Sequence, residues 1–135
     1  MGCMFAGKTT ELIRRCRKHE ITEKKVLRVK FAADKRYGDE ITIVTHGGIT
    51  SNAIAVNRLS ELGDSFHNYE VIGIDEGQFF EDVVEFSERA ASFGKIVIVS
   101  SLQGTFLRGA FPAILDLIPK CEKVKKLSAI CKVCK

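Results

Sequence analysis

Apolar residues along this chain recur with two periods. In KTTELIRRCRKHEI, Leu12, Ile13, Cys16 and Ile21 share roughly one side of a helix and arginines take the other, so the spacing predicts a helix right after the first loop. Val26, Leu27, Val29 and Phe31 form a short apolar run that predicts a strand ending near Asp34. ITIVTHGGIT reads as a strand broken by Gly47 and Gly48, and the stretch on through AIAVNRLSEL fits helix or strand. Val71 to Ile74 is a continuous apolar run that stops abruptly at two acids, the pattern of a strand buried on both faces of a parallel sheet. Val83, Val84, Phe86 and Ala90 return to helical spacing, with Gly94 as the stop. KIVIVSSL predicts another buried strand, PAILDLI a short helix opened by Pro112, and KVKKLSAI a last strand. Strands alternating with helices predict a parallel α/β sheet. No internal repeat, low-complexity tract or linker interrupts the pattern.

Composition narrows this only a little. A chain of 135 residues with 45% hydrophobic content is in the range of one globular domain. It has no apolar run of about 18 residues and no charged-then-apolar leader, so neither a membrane span nor a secretory signal is expected, and a cytoplasmic location follows by default. The five cysteines are an odd number without framework spacing, which fits reduced thiols or metal ligands better than a disulfide scaffold. The net charge of +4 is modest, and the basic runs IRRCRKHE, TEKK and KCEKVKK are mixed with acids and apolar residues and lack interleaved aromatics. They read as solvated helix faces, and no nucleic-acid partner is expected.

The chemistry begins at the first loop. Gly2, Cys3, Met4, Phe5, Ala6, Gly7, Lys8 and Thr9, followed by Thr10, fit GxxxxGK[ST], the phosphate-cradling P-loop. Its glycines let the backbone curl so that several N–H groups face one anion at the positive end of the following helix. Lys8 would reach the β- and γ-phosphates, and the Thr9 hydroxyl would ligate the Mg²⁺ that bridges them. A glycine turn with an incidental lysine is the plainer alternative.

Asp75 and Glu76 end the VIGI run, and open α/β sheets bind ligands outside the carboxyl ends of their strands. Neighbouring strand residues point opposite ways, so Asp75 can serve Mg²⁺ while Glu76 turns to a nucleophile. Two acids capping the next helix would look the same in sequence. If the nucleophile is water the protein is an ATPase, if a substrate hydroxyl a kinase, and a non-catalytic nucleotide-binding module would share the loop. There is no NKxD-type guanine-reading motif.

GCMFAGKTTELIRR, FAADKRYGD, VIGIDEGQFFEDVVEF, KIVIVSSLQGTFLRGAF and AICKVC occur in the order and approximate spacing of the type II thymidine kinases, the zinc-containing cytosolic family, which nearly the whole chain resembles. DEGQFF with a downstream GTF is the most discriminating part. The resemblance implies transfer of the ATP γ-phosphate to the 5′-hydroxyl of thymidine, and more weakly of deoxyuridine. Carried onto this sequence, it makes Lys8 and Thr9 the phosphate and Mg²⁺ contacts, Asp34 and Asp75 acids near the metal, and Glu76 the general base. Arg36 becomes the arginine that approaches the transferring phosphate, and Phe79 and Phe106 walls of a thymine pocket; on residues alone both phenylalanines would be core and Arg36 a surface residue. His46 receives no role.

Cys131 and Cys134 form one CxxC, half of a tetrahedral zinc site. A redox pair or incidental thiols would fit the spacing equally, although no strand–CxxC–helix order is present. In the family a second pair completes the site, and a lasso-like loop between the pairs closes over thymidine. The resemblance thus divides the chain into a P-loop α/β kinase domain, 1–122, and the start of a zinc ribbon, 123–135. It further implies a homotetramer and feedback inhibition by dTTP. Gln103 stands where the family usually has aspartate, Cys3 where proline is common, and Gly109 and Ala110 where a Lys-Pro or similar pair precedes Phe111. The family also places a strand before the P-loop. Such a strand, pairing inside the sheet, is expected in the full-length polypeptide, and the 135 residues alone, without it and the lasso, are expected to be inactive.

Overall fold

The computed structural model of the chain describes residues 1–32, 42–44, 50–131 and 133. The first helix, α1 (Lys8–Ile21), starts at Gly7, whose φ of 72° and ψ of 25° suit a residue without a Cβ. Glu11 in its first turn and Lys18 and His19 in its last match the helix dipole. Leu12, Ile13 and Cys16 are buried as their spacing predicts. Ile21 is not: it is 81% exposed, at the last position of the helix.

The strands are β1 (Val26–Phe31), β2 (Thr42–Val44), β3 (Thr50–Asn52), β4 (Ile54–Val56), β5 (Val71–Ile74) and β6 (Ile96–Val99). Four of them form one parallel sheet in the order β4-β1-β5-β6, with Val29 opposite both Ile54 and Ile74, and Ile72 opposite Val97. β2 and β3 pair antiparallel as a separate two-stranded sheet, and Gly47 and Gly48 between them lie outside the described residues. The two remaining helices are α2 (Val83–Ser92) and α3 (Pro112–Leu117), the latter with Pro112 in its first turn as expected.

β5 is buried at all four positions, which is why it reads as an unbroken apolar run. Its residues alternate between two layers. Ile72 and Ile74 join Leu27, Val29, Phe80, Val83 and Phe86 in the core on one face. Gly73 faces α1 on the other, where an added Cβ would lie 2.7 Å from Cys16 Sγ. α1 and α2 therefore cover opposite faces. Asp82 anchors this core: its buried carboxylate accepts from Leu59 N–H and Ser60 N–H at 3.1 and 2.9 Å, holding the 3-10 turn Leu59–Leu62.

Two expectations about strands are corrected. KIVIVSSL forms β6, but its four residues are only half-buried, since β6 borders a groove of about 1090 Å³ walled by α1, α3 and residues 120–125. KVKKLSAI is not a strand; a single parallel bridge at Leu127 is all that forms, its lysines facing solvent. That bridge is to Gly2, which is paired to Leu102 on its other side. Gly2 N–H donates to Ser101 O and Gln103 N–H to Gly2 O, both at 3.2 Å, and Leu127 N–H donates to Met1 O at 2.8 Å. Met1 and Gly2 are thus bonded on both sides like residues of a central strand, and Met1 also lines the groove beside β6. Among the described residues no helix is long and apolar enough to cross a membrane.

Candidate active site

The P-loop runs from this doubly paired start to the N-terminus of α1. Met4 and Phe5 are exposed at its crest, and Phe5 is in the left-handed region at φ 62°. Lys8 folds back so that its Nζ donates to Cys3 O at 2.8 Å. The ammonium is therefore held over the loop by a carbonyl, a contact that phosphate oxygens can replace with stronger charge-assisted bonds. Thr10 is exposed, with its side chain outside the loop's bonding.

Thr9 leads directly to the acids. Its hydroxyl donates to Asp75 Oδ2 at 3.0 Å, while Glu76 N–H donates to Asp75 Oδ1 at 3.1 Å. Asp75 is 3% exposed; burial and then the neighbouring Glu76 charge push its carboxyl up from the usual aspartate range, and the Thr9 hydroxyl partly counters this. A hydroxyl and a carboxylate oxygen side by side are the hard donors that Mg²⁺ takes, so these residues fit that ion.

Glu76 leaves the strand differently from the alternation expected. It lies in the left-handed region, φ 53° and ψ 43°, a conformation unusual for a side chain with a Cβ. The kink, together with Gly77, turns the carboxylate out of the strand line while Asp75 stays in the core. Gly77 must be glycine for a separate reason: its N–H donates to Ser100 O at 2.8 Å, and an added Cβ would lie 2.5 Å from Val99 Cγ1. Neither acid caps α2, which starts at Val83 after Asp82; Glu76 occupies the N-cap position of the 3-10 turn Gly77–Phe79 but makes no capping bond with its side chain.

One residue of this turn went unassigned in the sequence. Gln78 is 8% exposed; its Nε2 donates to Glu76 Oε2 at 2.5 Å and its Oε1 accepts from Leu102 N–H at 3.0 Å. Only its position in DEGQFF marked it, and glutamine has no chemistry that singles it out in one sequence.

The adjacent phenylalanines divide. Phe80 is fully buried, whereas Phe79 is 49% exposed beside a cleft of about 790 Å³ that Gln78, Arg58, Phe111 and Pro112 also line. Phe31 touches both rings, at centroid distances of 5.5 Å to Phe79 and 5.3 Å to Phe80. Phe106 is 94% exposed on a loop closed by Thr105 N–H donating to Gly109 O at 2.8 Å, so neither candidate pocket aromatic is core. Gln103 is exposed in the same loop. Asp34, Arg36, His46 and Cys134 lie outside the described residues. Cys131 is exposed, and among the described residues no three His, Cys, Asp or Glu side chains gather as a metal site.

A P-loop at the head of a helix, set against a parallel sheet with a buried aspartate at a neighbouring strand end, defines an α/β fold of the nucleoside-triphosphate-binding class. The sequence profile described as thymidine kinase matches residues 1–135, and the chain belongs to that family. It is 48% identical to thymidine kinase 1 of Dictyostelium discoideum over 98% of this chain and 60% of that protein. It is likewise 48% identical to the thymidine kinases of Variola virus, over 99% of this chain and 75% of that protein, and Yaba monkey tumor virus, over 99% and 73%. The chain thus spans between three fifths and three quarters of the length of these relatives.

Proposed function

We propose that the full-length protein carrying this chain transfers the γ-phosphate of ATP to the 5′-hydroxyl of thymidine, in nucleotide salvage. The observation that carries the reading is the 3.0 Å bond between Thr9 and Asp75, which places P-loop hydroxyl, buried acid and Glu76 at one end of β5. The relatives bear the name of that activity.

In this reading the P-loop N–H groups and the α1 N-terminus receive the phosphates, and Lys8 leaves Cys3 O to meet them. Thr9 and Asp75 would hold Mg²⁺, which supplies neutralisation of charge on the β- and γ-phosphates. Glu76 takes the proton from the 5′-hydroxyl as its oxygen attacks phosphorus and ADP leaves. Asp34 would support the metal, Arg36 would stabilise charge on the transferring phosphoryl group, and Phe79 and Phe106 would flank the thymine ring, flat apolar walls for a flat base. Cys131 and Cys134 would supply two thiolates to a structural zinc ion, with the other ligands elsewhere in the full-length protein. A cytoplasmic homotetramer inhibited by dTTP completes the proposal.

The test is ADP release from MgATP by the full-length protein, with and without thymidine, beside Glu76→Gln. Thymidine-stimulated release, thymidine monophosphate as product and a loss of about 10² to 10⁴ in the variant support it. Release at one rate regardless of thymidine assigns water as the acceptor and overturns it.

A further inference from the structure

The general base proposed above must present one carboxylate oxygen to the acceptor hydroxyl, yet Glu76 sits on a kinked turn just past the carboxyl end of β5. We propose that Gln78 is the positioning residue that fixes its orientation and ties it to the phosphate loop; the inference rests on Glu76 acting as that base.

The side-chain amide of Gln78 has only one workable orientation. Leu102 N–H is a donor, so the amide oxygen must face it, at 3.0 Å, which leaves the NH₂ group directed at Glu76 Oε2, at 2.5 Å. The amide is buried, where a bond to a charged carboxylate is strong and a missing partner is costly. In series the two bonds polarise each other, since the amide that accepts at one end donates more strongly at the other.

Leu102 is itself a fixed point. Its neighbours Ser101 and Gln103 bond Gly2 on both its N–H and its C=O, at 3.2 Å each, and Gly2 is the first glycine of the P-loop. Residues 101–103 therefore register the phosphate cradle through the backbone and Glu76 through Gln78. Gln78 holds base and phosphate in one frame, which is the geometry that in-line transfer needs. One oxygen of Glu76 is taken by the amide, and the other remains for the acceptor.

Two substitutions test this in the full-length protein: Gln78→Ala, and Gln78→Met, which keeps the buried volume while removing both bonds. Each is made alone and with Glu76→Gln, and ATP and thymidine KM, kcat and thermal melting are measured. Expected is a fall in kcat of roughly tenfold to a hundredfold, with both KM values held. In the Glu76→Gln background the same substitutions should cost less than about twofold more, because the residue they act through is already gone. An equal loss in both backgrounds makes Gln78 a support of the fold and overturns the inference, as does full activity of Gln78→Met. If Glu76→Gln alone keeps wild-type turnover, the assignment of the base fails instead, an outcome the single variant reads separately.

Discussion

The Thr9 hydroxyl donates to Asp75 Oδ2 at 3.0 Å, joining the phosphate loop to the end of β5 across 66 residues of chain. Thr9→Val keeps the shape and removes the donor. Turnover with MgATP is expected to fall by about tenfold to a hundredfold, with more magnesium needed for half-maximal rate, while Thr9→Ser keeps the hydroxyl and most of the activity. Magnesium titrations of the three proteins check this.

Asp75→Asn should separate stability from function. Burial disfavours the Asp75 charge, so the ionised group destabilises the metal-free fold at neutral pH, and a neutral amide of the same shape removes that term. The variant is expected to gain about 0.5–2 kcal/mol against urea while losing MgATP-dependent turnover. A variant that unfolds more easily than wild type in EDTA would show that the carboxylate's hydrogen bonds outweigh its desolvation.

Gly77→Ala meets a specific obstruction, Val99 Cγ1 at 2.5 Å, on a β-branched side chain with few alternative rotamers. A loss of about 1–3 kcal/mol is expected. Val99→Ala removes the obstructing methyl, so the double variant should be more stable than the sum of the single losses implies, which a double-mutant cycle measures.

The Glu11 carboxylate is held well below the usual carboxylate range, first by the Arg14 guanidinium and then by Arg15 and Lys125. A depressed acid stabilises the fold above its unfolded pKa of 4.5, and that contribution drains away as pH falls below it. Glu11→Gln should therefore be less stable than wild type at pH 7, the two drawing together in acid. The gap should shrink with salt, since the partners Arg14 and Lys125 are each 48% exposed. Denaturation at two pH values and two salt concentrations checks the sign.

Sequence spacing was most informative where one physical requirement acted alone. β5 is buried on both faces, so every residue from Val71 to Ile74 is apolar, and the Gly7-Lys8-Thr9 run admits few other uses. It failed where neighbours decide. The apolar β6 reads as buried, yet its exposure depends on what lies beside it, and KVKKLSAI reads as a strand although Leu127 alone pairs. Ile21 continues the helical stripe in sequence but is the last residue of α1 and is exposed. At the site, Lys8, Thr9 and Asp75 were marked by chemistry, whereas Gln78 is set apart only by its two bonds. Phe79 and Phe80 are identical in sequence, and only the direction of the turn after Gly77 sends one to the core and the other to the cleft.

The pairing of Met1 and Gly2 also sets an order of assembly during synthesis. The loop that receives phosphate is synthesised before its anchors, since its anchoring bonds go to residues 101–103 and 125–127, among the most distant contacts in the chain. Contacts of such separation form late, because the loop between them must close first. A nascent chain whose residue 127 is still in the exit tunnel can fold α1 and pair β1 with β5, yet its phosphate cradle has only one of its two flanking anchors. ATP affinity should therefore be acquired only after residue 127 has emerged, as a late step that bound ATP can itself draw to completion.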